Sequence, residues 1–159
     1  MRLKKFYSAR EVASLTGLSA RQLQWWDAHR LFKAAVAPRR TKAGGFTERR
    51  YTPLDLLELM VLADLRRHGM SVSKLRRLLD TLRQHFGVRL YEVIGHDGPV
   101  TLLTNGRDVY ARTAGGEFYN LLENPRQPLL EIGGEGSLRE LTARARRKKS
   151  RKKAVAPAG

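Results

Sequence analysis

The stretch SLTGLSARQLQWWDAHRLF (residues 14–32) holds two short helical segments around the turn Thr-Gly-Leu-Ser. Ser19 and Gln22 match the capping box that begins a helix, and the same pattern precedes the first segment. The first helix is therefore predicted to end near Gly17, and the second to run from Ser19 to about His29. Two short helices joined by a tight glycine-containing turn are typical of a helix-turn-helix, and also of many ordinary helical hairpins.

The second predicted helix has one apolar and one polar face. Leu23 and Trp26 lie three residues apart and share the face predicted to be buried. Arginine can hydrogen-bond guanine and glutamine can hydrogen-bond adenine in the major groove, so the opposite face is a candidate DNA-contacting surface. A solvated polar face is the simpler alternative. The candidate DNA contacts from this helix are Ser19, Arg21, Gln22, Gln24 and Trp25.

The next segment, residues 33–51, is interrupted by Pro38 and Gly44-Gly45 and predicts two short strands joined by a loop, as in a wing. It carries six basic side chains against one acid, Glu48. Such an excess beside a recognition helix predicts contacts with phosphates. Tyr51 is expected to pack at the junction with the next helix. The candidate phosphate contacts are Arg39, Arg40, Lys42, Arg49 and Arg50.

Two longer helices are predicted next. Thr52 is an N-cap followed by proline at the first helical position, and Ser71 caps a fourth helix that Gly87 ends. Apolar residues recur along both at helical spacing. The predicted apolar stripe of the third helix consists of Leu54, Leu57, Val61, Leu62 and Leu65.

After Gly87 the apolar spacing changes from helical to alternating, as in the segment VRLYEVI. Asn105-Gly106 is a strong signal for a two-residue hairpin turn. Residues 88–132 therefore predict a small antiparallel sheet. Ser137 and Glu140 match a capping box, so a last short helix is predicted there.

Charge is segregated along the 159 residues, whose net charge is +16. Residues 1–86 carry 18 basic and 7 acidic side chains, residues 87–143 carry 5 and 8, and residues 144–159 carry 8 and none. A basic head and tail around an acidic middle predict a polyanionic partner such as nucleic acid. The dense basic block at the end is expected to be disordered and to bind phosphates without sequence preference.

Several classes of protein are disfavoured by the composition. The chain has no cysteine, which excludes disulfides and thiolate metal sites and is typical of a reducing compartment. No apolar run approaches the roughly 18 residues of a membrane span, and no apolar segment follows the basic N-terminus as in a signal peptide. The four histidines form no metal-binding spacing, and no catalytic motif is present. We therefore expect a soluble cytoplasmic, nucleoid-associated protein that is not an enzyme and has no metal or cofactor.

In order, these elements resemble the MerR family of bacterial transcription regulators over residues 6–86. The segments that carry the resemblance are YSAREVASLTGLSARQLQWWDAHRLF and RRYTPLDLLELMVLADLRRHGMSVSKLRRLL. The resemblance implies a winged helix-turn-helix that binds double-stranded DNA, regulates transcription and contacts RNA polymerase. The corresponding motifs are Gly17-Leu18-Ser19, Trp25-Trp26-Asp27, Arg49-Arg50-Tyr51 with Asp55, Gly69-Met70-Ser71 and Leu78-Leu79.

Three departures from the family pattern affect what the resemblance implies. Gln24 stands where the family usually has arginine, which weakens one expected phosphate contact. The wing segment between Phe32 and Arg49 is longer than usual. Gly87 and strand-like sequence occupy the place of the family's long dimerisation helix, so we expect a homodimer formed by other contacts. Without cysteine, thiol-based metal or redox sensing is excluded, and a small-molecule effector stays unidentified.

The sequence thus predicts an α+β protein in three parts. Residues 1–87 form a MerR-like winged helix-turn-helix domain, residues 88–136 a small β-rich domain, and residues 137–159 a short helix and a disordered basic tail. The β-rich part is expected to bind an effector, form a dimer contact or bind another protein. The expected function is sequence-specific regulation of transcription. The alternatives are an architectural or phage-type DNA-bending protein and an antitoxin-like protein-interaction module.

Overall fold

The computed structural model describes residues 4–34, 36–40, 47–94, 98–129 and 138–143. Helices and a three-stranded sheet make up its N-terminal part, and a five-stranded sheet its C-terminal part. The N-terminal elements are β1 (Tyr7–Ser8), α1 (Ala9–Thr16), α2 (Ala20–Ala28), β2 (Val36–Arg40), β3 (Thr47–Tyr51), α3 (Pro53–Arg67) and α4 (Val72–Phe86). The C-terminal elements are a 3-10 helix (Leu90–Val93), β4 (Val100–Thr104), β5 (Val109–Thr113), β6 (Phe118–Asn120), β7 (Asn124–Leu129) and β8 (Arg139–Glu140).

The four predicted α-helices are confirmed, and local side-chain hydrogen bonds explain where they begin. Ser19 and Thr52 each form a full capping box, which satisfies backbone N–H groups that a helix start leaves without partners. The hydroxyl of Ser71 accepts a hydrogen bond from the backbone N–H of Lys74 at the start of α4. At the other end of α4, Gly87 adopts the left-handed conformation with φ of 64°, which only glycine adopts without steric cost.

Both sheets are antiparallel. The first has the strand order β1-β3-β2, with Tyr7 opposite Tyr51 and Arg40 opposite Thr47, which confirms the predicted strand pair of residues 33–51. The second has the order β7-β6-β5-β4-β8 and confirms the predicted small sheet after α4. The mixed α+β class is therefore confirmed.

One continuous apolar core joins the helices to the five-stranded sheet. Leu75, Leu78 and Leu82 of α4 are fully buried in it, as is Leu121 after β6. Polar contacts tie the same surfaces together, since the Arg77 guanidinium donates to the Leu122 carbonyl at 3.0 Å. The sheet therefore packs on the helical part through shared core residues.

The predicted strand after Gly87 is wrong, because Leu90–Val93 form a 3-10 helix. Leu90 and Val93 are both 1% exposed, and one helical turn brings residues three apart onto the same side. The backbone N–H of Tyr91 donates to the Glu58 carboxylate at 3.1 Å. A distant buried carboxylate thus stabilises this turn, and alternation of apolar residues alone does not reveal it.

Two further predictions in the C-terminal part are wrong. Thr104 lies opposite Val109, so the hairpin loop has four residues rather than two, and the Asn105 side chain accepts hydrogen bonds from two backbone N–H groups within it. Residues 139–140 form strand β8 instead of the predicted helix. The Leu141 side chain is buried and its N–H donates to the Leu102 carbonyl at 2.9 Å, so pairing with β4 outweighs the local capping pattern.

The predicted stripe of α3 is also partly wrong. Leu54 and Leu57 are 44% and 38% exposed, whereas the carboxylates of Asp55 and Glu58 are buried. Asp55 completes the capping box with Thr52, and Glu58 accepts hydrogen bonds from the segment after α4. These polar partners turn α3 so that its first turns bury carboxylates in place of two leucines.

Candidate nucleic-acid interface

The turn between α1 and α2 is held by backbone and hydroxyl hydrogen bonds. Gly17 has φ of 82°, and its N–H donates to the Ala13 carbonyl at 2.9 Å. The Thr16 hydroxyl donates to the Val12 carbonyl at 2.7 Å and accepts from the Leu18 N–H at 3.1 Å. Because each end of the turn is tied to α1, the direction in which α2 leaves it is fixed.

Arg67, at the end of α3, stabilises this turn by a hydrogen bond. Its guanidinium donates to the Thr16 carbonyl at 2.7 Å, across 51 residues of sequence. The last carbonyls of a helix have no partner within the helix, so this contact also satisfies the end of α1. Sequence reasoning missed this role, because nothing local to Arg67 signals it.

The α2 helix has the two faces that its sequence predicts. Leu23 and Trp26 are each 2% exposed, while Arg21 and Gln24 are exposed and Trp25 is 43% exposed. The predicted division of the two tryptophans is therefore confirmed as far as burial is concerned. Gln24 and Trp25 lie three and four residues after Arg21, so both are neighbours of Arg21 on the exposed side of the helix.

Ser19 and Gln22, the other two candidates on α2, hold the start of the helix. The Ser19 hydroxyl accepts from the Gln22 backbone N–H at 3.0 Å, and the Gln22 side-chain oxygen accepts from the Ser19 N–H at 2.9 Å. Both side chains remain at the exposed end of α2. Each capping oxygen accepts one hydrogen bond, and the Gln22 amide nitrogen keeps its two N–H donors for other contacts.

Trp25 is supported by a neighbour that sequence reasoning missed. The His29 ring stacks on the indole with centroids 3.8 Å apart and planes 16° apart, and its Nδ1 lies 2.9 Å from the Trp25 carbonyl oxygen. Arg76 of α4 in turn donates to the His29 carbonyl at 2.9 Å. The stack on His29 therefore supports one face of the exposed indole. The four-residue spacing of Trp25 and His29 could have signalled this stack.

The hairpin of β2 and β3 is fastened to α2 by an ion pair. Arg49 Nε lies 2.5 Å from Asp27 Oδ2, and both side chains are partly buried. Arg50 lies with its guanidinium 5.1 Å from the centre of the Phe6 ring. Both arginines were predicted to contact phosphates, and Arg49 here positions the hairpin against α2.

The side chains of the remaining wing candidates are not described by the structure. Arg39 and Arg40 lie in β2, but their side chains are outside the described part of the molecule. Lys42 lies outside the described residues altogether. Tyr51, predicted to pack at the junction, is 1% exposed, and burial raises its pKa to about 12. Its hydroxyl therefore stays neutral at pH 7 and adds no negative charge beside the basic hairpin.

Metal sites and membrane spans are both absent from the part of the chain that the structure describes. Within residues 4–34, 36–40, 47–94, 98–129 and 138–143, no cluster of three or more metal-ligating side chains occurs. None of the helices in that part of the chain is long and apolar enough to cross a membrane.

The chain is similar to known regulatory proteins. Residues 7–82 match the model of the MerR HTH family regulatory protein. Two curated relatives from Mycobacterium tuberculosis and one from Mycobacterium bovis, each called an uncharacterized HTH-type transcriptional regulator, are 30% identical over 136 residues.

That similarity covers 86% of this chain and 56% of each relative, so the chain spans a little over half the length of the curated relatives. Because 136 residues are far more than the family match contains, the similarity also includes part of the C-terminal sheet. The family is one of regulatory proteins rather than a class of enzymes. The matched residues include the two capped helices, the strand hairpin and α3, so the N-terminal part of the chain is similar to the MerR HTH family.

Proposed function

We propose that this protein is a sequence-specific, double-stranded DNA-binding regulator of transcription. The observation that carries the proposal is the exposed face of α2, where Arg21, Gln24 and Trp25 lie together on a helix whose other face is buried. A rigidly held helix with hydrogen-bonding side chains on its exposed face suits the major groove.

Within this proposal the three side chains have different tasks. Arg21 and Gln24 lie one turn apart and approach base edges, Arg21 toward guanine and Gln24 toward adenine. Trp25 is oriented by its stack on His29 and is suited to pack on the sugar-phosphate backbone or to donate its indole N–H to a phosphate. Ser19 and Gln22 lie at the start of α2, which is the end that enters the groove first.

The hairpin and the basic tail supply the electrostatic part of binding. Arg39, Arg40 and Lys42 contact phosphates beside the groove that α2 enters, together with Arg50. Each phosphate neutralised steepens the salt dependence of binding by about 0.9 in log–log slope. The block of 8 basic residues in 144–153 adds affinity for any DNA sequence and accelerates association.

The protein acts as a homodimer in the cytoplasm, bound to the nucleoid, and it contacts RNA polymerase. In the described residues after α4, a 3-10 helix and strands follow Gly87, and no long helix is available there for dimerisation. We therefore assign dimerisation to the five-stranded sheet or to the exposed face of α3. Sedimentation of the purified chain at two concentrations measures this directly, and a monomer at both would contradict it.

Selection from a library of random DNA duplexes tests the proposed function. We expect one enriched site, bound at least roughly a thousandfold more tightly than random DNA at physiological salt. Arg126→Ala is a suitable control, because this exposed arginine lies on β7 in the acidic part of the chain. Equal affinity for selected and random duplexes would indicate an architectural protein instead, and absence of DNA binding would remove the proposal.

A further inference from the structure

A cleft of about 370 Å³ lies beside the end of α2, between the chain that leaves α2, helix α4 and the segment after Gly87. Its size is within the range of small-molecule sites. It lies apart from the face formed by Arg21, Gln24 and Trp25, none of which lines it. The described lining residues are Arg30, Leu31, Phe32, Lys33, Glu58, Arg76, Leu79, Asp80, Arg83, Val88, Arg89 and Leu90.

Cations dominate this lining. Five basic side chains face two carboxylates, and each carboxylate already binds one guanidinium. Glu58 binds Arg89, and Asp80 accepts from Arg83 at 3.0 Å. The positive charge that these pairs leave uncompensated lies on Arg30, Lys33 and Arg76.

Two of these cations have no partner in the part of the chain that the structure describes. Among the described residues, Arg30 and Lys33 form no ion pair and no side-chain hydrogen bond, and both are exposed. Arg76 uses one guanidinium nitrogen on the His29 carbonyl, so its other N–H groups remain available as donors. Three such donors lining one cleft are suited to a multiply charged anion.

The backbone of Arg30 adds an independent observation. Its φ is 57°, and it is the one residue other than glycine with positive φ in the described part of the chain. Glycine adopts this conformation without steric cost and is the usual residue at such a helix end. An arginine at this position therefore carries a conformational cost that glycine would not.

The wall of the cleft behind the cations is apolar. Leu31 and Phe32 are buried beneath it, and Leu79, Val88 and Leu90 complete this surface. A ligand that fits must present an anion to the cations and a planar or apolar body to this wall. DNA backbone offers phosphates on a convex surface without an apolar group to cover the wall, so a small molecule fits better.

We propose that the cleft binds a small organic phosphate. The phosphate accepts hydrogen bonds from Arg30, Lys33 and Arg76, and the organic part packs on Phe32 and Leu79. The site is independent of the proposed DNA contacts, since its lining residues differ from them. Its occupancy changes the surroundings of Arg76, which holds the end of α2.

Calorimetric titration of the full chain at physiological salt tests this site with three probes. Adenosine 5′-monophosphate carries both ligand features, inorganic phosphate only the anion, and adenosine only the planar body. We expect the nucleotide to bind at least about tenfold more tightly than either fragment. A tenfold change corresponds to 1.4 kcal/mol, which is less than one hydrogen bond to a charged group provides.

Variants separate the cleft from the basic tail, which also attracts anions. Arg30→Gly combined with Lys33→Ala removes two cations while keeping the left-handed backbone, and should weaken nucleotide binding at least about tenfold. Arg10→Ala combined with Arg126→Ala removes two exposed cations outside the cleft. This control should change the affinity for the nucleotide less than about twofold. Circular dichroism confirms that each variant is folded.

Three outcomes would overturn the proposal. If the nucleotide bound no more tightly than inorganic phosphate, the phosphate would be binding the basic tail and not the cleft. Undiminished nucleotide binding in the cleft variant would place the site elsewhere. The third outcome is that the parent protein binds no nucleotide while the cleft variant binds DNA more weakly than the parent does. That result would show that the cleft cations contact the DNA backbone instead.

Discussion

Replacing Trp25 and Trp26 one at a time separates the core of the helix-turn-helix from its exposed face. Trp26 is 2% exposed, so Trp26→Ala opens a large cavity and should cost about 3–5 kcal/mol of unfolding free energy. Trp25 is 43% exposed and contributes chiefly its stack on His29, so Trp25→Ala should cost only about 1 kcal/mol.

Urea denaturation followed by far-ultraviolet circular dichroism measures this difference. With an m-value of about 2 kcal/mol/M, the midpoint should fall by roughly 2 M for Trp26→Ala and by roughly 0.5 M for Trp25→Ala. Trp26→Phe is a matched control that retains most of the buried area and should lie between the two. Equal losses for both alanine variants would refute the division of the helix into a buried and an exposed face.

Three other perturbations test separate contacts. A double-mutant cycle of Asp27→Ala and Arg49→Ala should give a coupling of roughly 1 kcal/mol for this partly exposed pair, and zero coupling would contradict it. Burial raises the pKa of Glu58 although Arg89 lowers it, so relative to Glu58→Gln the wild type should lose stability as pH rises above about 4.5. Parallel stability–pH curves would contradict that. Deletion of 144–159 should weaken binding to all DNA sequences alike and lower the salt slope, and an unchanged slope would remove the tail from binding.

The direction of the Glu58 effect follows from linkage. A carboxyl with a raised folded-state pKa binds protons more readily in the folded than in the unfolded protein. Its favourable contribution is complete below the ordinary value of 4.5 and disappears as pH passes through the raised value. Glu58→Gln does not titrate and so provides the reference curve.

The helix boundaries were predictable because short-range chemistry sets them. Ser19 with Gln22 and Thr52 with Asp55 close hydrogen-bonded rings within four residues, so the sequence alone contains all the partners. The burial of Trp26 and the exposure of Trp25 follow from helical periodicity in the same way.

The failures at α3, the 3-10 helix and β8 share a dependence on distant partners. Glu58 bonds to Arg89 and Tyr91 across more than thirty residues, and this contact decides both the orientation of α3 and the 3-10 helix. Strand β8 exists because β4 offers it backbone partners. Local periodicity and capping patterns carry no information about such pairings.

In the candidate interface, too, local sequence sets some features and distant partners set others. The exposed residues of α2 were predictable from spacing, whereas the residues that hold α2 in place were not. Arg67 reaches the Thr16 carbonyl across 51 residues, and Arg76 reaches the His29 carbonyl across 47. Arginines at these helix surfaces look like solvated charges until the fold brings the carbonyls beside them.

Binding of Arg21→Ala to the selected site and to random DNA tests most directly the claim that the exposed face of α2 contacts bases. Fluorescence anisotropy at fixed salt gives both affinities, with Arg126→Ala as the control that removes an exposed arginine elsewhere. We predict a loss of about 1–3 kcal/mol on the selected site and a much smaller loss on random DNA. An equal loss on both, or none on the selected site, would contradict base contact by Arg21.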